Sequence, residues 1–294
     1  MFTSLVIVPL IYTMLNTNQK IRIARLLSRI VVSLRHLCGK PSTVITTRRG
    51  YRWDLDLKEG IDLAIYLLGG FEIRTLRRYA SLIREGDIVF DVGANIGAHT
   101  IPLAALVGAR GRVVAFEPTD YAFGKLNRNL ALNPTLSARV SASQTMLAAD
   151  PAGELPSAIY SSWPLGERGD LHNQHHGRLM NTTGANLSTL DRIVKELNLD
   201  RVSFIKIDVD GNEYSVLKGA QETLRTHKPM LMLELAPYVY ENHPHEFDQM
   251  LLMLWDCGYR FSDVVSGKDI SQDPAKIRSL IPAAGGINVL AKTL

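Results

Sequence analysis

Cysteine is nearly missing: Cys38 and Cys257 are the only two, far apart, and they make neither a disulfide framework nor a zinc-ligand pattern. Such usage suits a reducing compartment, so a cytoplasmic protein is expected. No apolar run reaches the ~20 residues that cross a bilayer. The opening "MFTSLVIVPLIYTMLN" is shorter, and Pro9 interrupts it. Without basic residues before it or a small-residue cleavage site after it, the stretch also makes a poor secretory signal. Acid is wholly absent from residues 1–50, which hold Lys20, Arg22, Arg25, Arg29, Arg35, Lys40, Arg48 and Arg49. Those eight account for the net charge of +4, because 25 basic against 29 acidic residues remain after position 50. A nucleic-acid partner is not expected, since the motif-bearing part lacks a basic excess.

What is present is ordinary globular composition, 46% hydrophobic and 21% charged, which excludes wholesale disorder. The length accommodates one α/β domain with an extension. In "KIRIARLLSRIVVSLRHLCGK", Arg22, Arg25, Arg29, Ser33, His36 and Lys40 recur every three or four residues, along one helical face. Ile21, Ile23, Leu26, Leu27, Ile30, Val31, Leu34 and Leu37 fill most of the rest. Three occupants of the apolar side stay open: a membrane surface, the main domain, or a second subunit. Peripheral contact with the inner face of a membrane, or dimerisation through residues 1–45, follows from the first and last.

From Tyr51 onward strands alternate with helices, the pattern of a mainly parallel sheet covered on both faces. Strands are expected at Ile88–Asp91, Val113–Phe116, Val140–Thr145, Phe204–Ile207, Met230–Leu235, Tyr259–Val264 and Gly286–Ala291. Helices are expected at about Glu213–His227 and His245–Cys257. Residues 1–50 read as an extension and residues 51–294 as one domain. Its cofactor half spans about 86–150, and a Pro/Gly/Ser-rich substrate loop spans about 150–185, carrying His172, His175 and His176.

"FDVGANIG" sets Asp91 at a strand end, then Gly93, Asn95 and Gly97 at alternate positions before a helix. Such turns need residues that tolerate positive φ and admit a ligand close to the backbone. Glu117 ends the next strand, where a carboxylate reaches ribose hydroxyls. A nucleoside site follows. A dinucleotide loop reads G-x-G-x-x-G around a pyrophosphate; here Asn95 and Ala98 replace the second and third glycines. D-x-G-x-N-x-G resembles the first motif of S-adenosylmethionine-dependent methyltransferases. An NAD-dependent oxidoreductase is the runner-up, and a non-catalytic interaction module of the same fold is the third reading.

"IKIDVDGNEYSVLKGA" opens like a calcium loop at Asp208, Asp210 and Asn212. Position six is Glu213 and position twelve Gly219, where the loop demands Gly and Glu, so no metal is expected. Alternation puts Phe204, Lys206 and Asp208 on one face of the strand. Lys206, costly in a buried strand unless paired, has Asp208 and Glu234 in reach. Asp208 is the first candidate base and Glu234 the second, with the loop histidines as alternatives; His99 reads as packing or polar contact.

"VFDVGANIGAHT", "VVAFEP", "TLD" (Thr189–Asp191), "IKIDVDGNEYSVLKGA" and "PMLMLEL" occur in the order seen in the FkbM family of methyltransferases. "LAIYLLGGFE" is similar to that family's approach to its first strand. The resemblance covers about residues 60–294. It implies a seven-stranded class I methyltransferase (Rossmann-like) fold, S-adenosylmethionine as cofactor, and methyl transfer to a hydroxyl of a sugar, glycan precursor or secondary metabolite. By the same resemblance Asp91, Gly93, Ala94, Asn95, Gly97, Glu117, Pro118 and Gln144 form the cofactor side. Asp208, Glu234 and Lys206 form the catalytic group, with Asp210, Glu213 and His172 toward substrate. At Asp210 the family usually carries Glu, so the charge persists with a shorter reach.

Overall fold

A computed structural model of the chain describes residues 17–161, 164–165, 177–282 and 285–293. The first described element is helix α1, Thr17–Leu37. A hairpin of β1 (Thr43–Arg48) and β2 (Tyr51–Asp56) follows. Arg49 and Gly50 turn it, with φ of 50° and 84°, as a two-residue hairpin turn requires. The boundary expected at residue 50 thus falls on a hairpin turn, and residues on both sides of it share one sheet.

Helices α2 (Gly60–Leu68) and α3 (Ile73–Leu82) lead to β3 (Ile88–Val92). Then come α4 (Thr100–Leu106), β4 (Arg112–Phe116), α5 (Asp120–Ala131), α6 (Pro134–Ser137) and β5 (Val140–Ser143). Two small sheets interrupt the alternation. One pairs β6 (Thr145–Leu147) with β9 (Asn186–Ser188); the other pairs β7 (Ala158–Ser161) with β8 (Arg178–Asn181). The rest runs α7 (Leu190–Glu196), β10 (Phe204–Ile207), α8 (Glu213–Lys218), α9 (Gln221–Thr226) and β11 (Met230–Leu235). It closes with α10 (Pro244–Asp256), β12 (Tyr259–Asp263), α11 (Pro274–Leu280) and β13 (Ile287–Thr293).

The main sheet has the order β12-β13-β11-β10-β3-β4-β5, with β13 antiparallel to both neighbours and the other pairings parallel. This is the seven-stranded, mostly parallel sheet that the sequence resemblance implied. Strands buried on both faces read as near-continuous apolar runs, which is why β10 and β11 begin and end where "FIKI" and "MLMLEL" put them. One face packs Phe90, Val92, Ile205, Ile207 and Leu233 against α7, α8 and α10. The other packs Val89, Val113, Phe204 and Met232 against Tyr79, Leu103 and Val107 of α3, α4 and its end.

Helix α1 lies on a third cluster, with Val32 against Leu55, Leu57 and Leu63, and Ser28 Oγ donates to the Leu57 carbonyl at 2.7 Å. Docking on the main domain thus accounts for one side of that helix. No described helix is long and apolar enough to cross a membrane.

The helix expected over Glu213–His227 is two. At Gly219 a Cβ would meet the Ala148 carbonyl oxygen, and the Gly219 carbonyl accepts from Asp191 N at 2.9 Å instead of continuing the ladder. The "TLD" motif rebuilds what the break exposes. Thr189 Oγ1 accepts from Arg192 N and caps α7. The Asp191 carboxylate accepts from Glu222 N (3.0 Å), Thr223 N (2.8 Å) and the Thr223 hydroxyl (2.7 Å) at the start of α9. Capping bonds of this kind contribute about 0.5–2 kcal/mol. Asp191→Ala should therefore lower the urea-unfolding free energy by about 1–3 kcal/mol, since it strands three donors at once. Asp191→Asn, which keeps an acceptor, should lose less.

Candidate active site

Strands β3 and β10 are parallel neighbours whose connections leave in opposite directions, one to β4 and the other to β11. At such a switch point the loops diverge and leave a crevice beyond the carboxyl ends of the strands. Here the crevice is a cavity of about 380 Å³, within the range of small-molecule sites.

Gly93, at φ 79°, starts its wall. A Cβ there would fall on the Asp208 carbonyl oxygen, so the loops after β3 and β10 touch only because residue 93 has no side chain. Gly93 N and Ala94 N both donate to the Phe116 carbonyl, at 3.0 and 2.9 Å. Asn95 takes φ 48°, its side-chain oxygen accepting from Ile96 N at 2.9 Å. Its backbone N–H donates to Glu117 Oε2, also at 2.9 Å. Glu117 Oε1 accepts from Thr119 N (3.0 Å) and Oγ1 (2.6 Å). A carboxylate offers about four lone-pair sites, so three bonds leave Glu117 one acceptor site at the wall. Burial pushes its pKa up, against the pull of these hydrogen bonds.

Lys206 lies below, 4% exposed. Its Nζ donates to the Gly93 carbonyl at 3.2 Å and stands 3.3 Å from Asp91 Oδ1 and 3.4 Å from Asp208 Oδ2. Register places Lys206 opposite Asp91 across the β10–β3 ladder. Its acidic partners are therefore Asp91 and Asp208; Glu234, expected in reach, forms no ion pair with it among the described residues. Burial would depress the ammonium, but the charges of Asp91, Asp208 and Glu72 outweigh it and hold the pKa above its ordinary value.

Carboxylates ring the remainder. Glu234 sits beneath Gly286, where any Cβ would strike it. Burial, then the charges of Asp208, Asp210, Glu72 and Glu213, raise its pKa well above the usual range. Asp210, at φ 50° in the turn after β10, is pushed up to about 8 by desolvation and by Asp208, Glu213 and Glu117. Glu72 also adopts φ 48°; Asn288 Nδ2 donates to both its oxygens at 3.2 Å. His99 bonds Tyr79 Oη through Nδ1 at 2.9 Å and brings Nε2 to 3.7 Å from Glu72. Burial and the Lys206 charge lower His99 to about 3, so its ring is neutral.

The expected residues divide by position. Gly93, Ala94, Asn95, Glu117, Pro118, Lys206, Asp208, Asp210 and Glu234 line the cavity. Asp91, fully buried, stands behind the wall and accepts from Thr100 Oγ1 at 2.7 Å. Gly97 turns the chain against Leu126. Gln144 donates to the Thr183 carbonyl at 2.9 Å and to the carbonyl of the lining residue Pro118 at 3.4 Å. Glu213 holds the Asp208–Asn212 turn, accepting from Val209 N, Gly211 N and Tyr240 Oη. His172, His175 and His176 lie outside the described residues. From the substrate loop, Ile159, Tyr160 and Ser161 of β7 reach the lining. Glu72 and His99 were missed as site residues. The only trace of Glu72 in the sequence is a lone acid after Gly69-Gly70.

Compared with known proteins, residues 91–261, more than half of the chain, match the methyltransferase FkbM domain. Methyltransferase sdnD of Sordaria araneosa is 29% identical over 163 residues, 47% of this chain and 62% of that protein. Hexuronic acid methyltransferase AglP of Haloferax volcanii is 27% identical over 167 residues, 53% and 62%. 31-O-demethyl-FK506 methyltransferase FkbM of Streptomyces tacrolimicus is 27% identical over 179 residues, 52% and 66%. The chain thus spans a little under two thirds of the length of these relatives.

The titrations fix a sign. Glu72, Glu117, Asp210, Glu213 and Glu234 all hold protons more firmly folded than unfolded. Stability from them is complete at low pH and is lost as pH rises through the folded values. His99 acts oppositely, but only below its ordinary pKa of about 6.5. The melting temperature should fall between about pH 6.5 and 8.5, and Asp210→Asn should flatten that fall. A melting temperature that climbs across the window would contradict this.

Proposed function

The chain belongs to the FkbM family of methyltransferases, and on that premise we propose that it moves a methyl group from S-adenosylmethionine to a hydroxyl oxygen. The acceptor is a neutral sugar, glycan precursor or secondary metabolite. One observation carries the reading. Glu72, Glu117, Asp208, Asp210 and Glu234 line the cavity, while Lys206 is the only Lys or Arg among its described lining residues. Acid excess in a concave, poorly solvated site favours a cation and repels a pyrophosphate. A sulfonium donor suits that field; a nicotinamide dinucleotide, the runner-up, does not.

The residues present fit such a donor. Gly93, Ala94 and Asn95 would border it along the backbone, and the remaining acceptor site of Glu117 would take a ribose hydroxyl. When bound, S-adenosylmethionine supplies a methyl group already activated by the positive sulfur. The chain's tasks are then to align the acceptor oxygen and to take its proton. Asp208, at the carboxyl end of β10 and partly open to the cavity, is the base; Lys206 holds its Oδ2. Glu234 keeps its proton to higher pH than an ordinary carboxylate and can donate a hydrogen bond to the acceptor. Backbone and side chains on four strand ends thus serve donor, proton and acceptor separately.

The Haloferax relative's name specifies a hexuronic acid and the Streptomyces relative's an O-methylated position. The acid-rich lining disfavours an anionic acceptor here and supports the hydroxyl of a neutral one. It equally disfavours a nucleic-acid acceptor.

Calorimetric titration with S-adenosylmethionine should show saturable 1:1 binding, weakened at least about tenfold in Gly93→Ala, where the new methyl displaces the Asp208 backbone. Asp208→Asn should bind the donor within about threefold of wild type, yet turn over a panel of neutral glycosides about 10²–10⁴-fold more slowly. Full turnover by Asp208→Asn would remove the base from that position. Tight binding of a nicotinamide dinucleotide, or none of the methyl donor, would overturn the assignment.

A further inference from the structure

Helix α1 has two apolar sides, and the fold uses one. Ile21, Ser28 and Val32, spaced seven and four residues apart, are buried, the last two against the domain. Half a turn around, Ile23, Leu26, Leu27, Ile30, Leu34 and Leu37 follow the same helical spacing. Their exposures are 38%, 60%, 40%, 47%, 58% and 84%. Scattered exposed leucines need no explanation, but six large side chains in one unbroken stripe do. Among the described residues nothing covers them.

Alongside the stripe runs a polar row of Arg22, Arg29, Ser33 and His36, all exposed, with Lys40 just beyond the helix. No acid lies within residues 1–50 to neutralise it. The helix itself is anchored: Arg35 Nε donates to the Pro41 carbonyl at 2.9 Å and its NH2 to the Thr43 carbonyl at 3.2 Å. Gly39, at φ 66°, turns the chain back toward β1. The stripe is thus held in place on a rigid support.

We propose that α1 seats the protein on an anionic lipid surface, the stripe entering the interface and the flanking arginines meeting lipid head groups. Charge decides against a second copy. A two-fold contact through this face would set one acid-free basic row near another, whereas an anionic leaflet supplies the opposite sign. The helix rests on α2, whose Ile61 lines the cavity, so the surface lies one helix away from the site wall. This inference stands apart from the proposed methyl transfer and survives its failure.

The test is sedimentation of the full chain with vesicles. Phosphatidylcholine vesicles with about 30% phosphatidylserine should bind at least about tenfold more protein than phosphatidylcholine alone, and about 0.5 M salt should remove most of the difference. Leu26→Ser/Ile30→Ser/Leu34→Ser and, separately, Arg22→Glu/Arg29→Glu should each reduce binding at least about tenfold. All five side chains are exposed, so both variants should keep the wild-type melting temperature. Absence of vesicle binding by the full chain would overturn the proposal. So would a dimer in light scattering that the triple substitution dissociates while vesicle binding persists.

Discussion

One buried ammonium holds the site together. Lys206 Nζ touches the Gly93 carbonyl, Asp91 and Asp208, and so joins the glycine-bearing loop after β3, β3 itself and the turn after β10. A buried cation is tolerated only when its partners are close and correctly oriented. Asp91 meets this need through register on β10–β3, with Thr100 fixing its other oxygen. Gly93 allows the approach, because any side chain there would occupy the Asp208 carbonyl position. The glycine of the cofactor motif and the lysine of the acidic motif serve the same contact from opposite sides.

Around that tie the site holds more carboxyl groups than one lysine can pair. Burial, and after it the Asp208 charge, raises the pKa values of Glu234, Glu72 and Asp210, and His99 stays neutral beside them. An arrangement costly to the free protein becomes favourable when a cation enters, since the same carboxylates then gain a partner. The strained φ values at Glu72, Asn95 and Asp210 fall on cavity-lining residues, as expected where function over-determines the backbone.

Much of this was legible in the sequence, for definite reasons. Central strands buried on both faces leave apolar runs with abrupt ends, so "FIKI" and "MLMLEL" gave their own boundaries, and the acids at those ends marked the mouth of the site. The calcium-like spacing of Asp208, Asp210 and Asn212 proved to be a turn that Glu213 ties from below. Other features depend on distant contacts. The break at Gly219 needs the Ala148 carbonyl, which no local pattern contains. Asp91 resembles a ligand residue by motif, yet it is fully buried behind the wall. Glu72 is held at the cavity by Asn288, 216 positions away. The hairpin across residue 50 was hidden because it is a separate two-stranded sheet whose β1 is exposed and half-exposed in turn, with no buried apolar face to mark it.

The claim that the Lys206 tie shapes the donor site is tested most directly by titrating Lys206→Met with S-adenosylmethionine, using protein whose circular dichroism matches wild type. Were the ammonium merely one positive charge in an acidic cavity, removing it would tighten cation binding. With the tie as the organising contact, the Gly93 loop loses its anchor and affinity falls at least about tenfold. Affinity that is unchanged or improved would contradict the account.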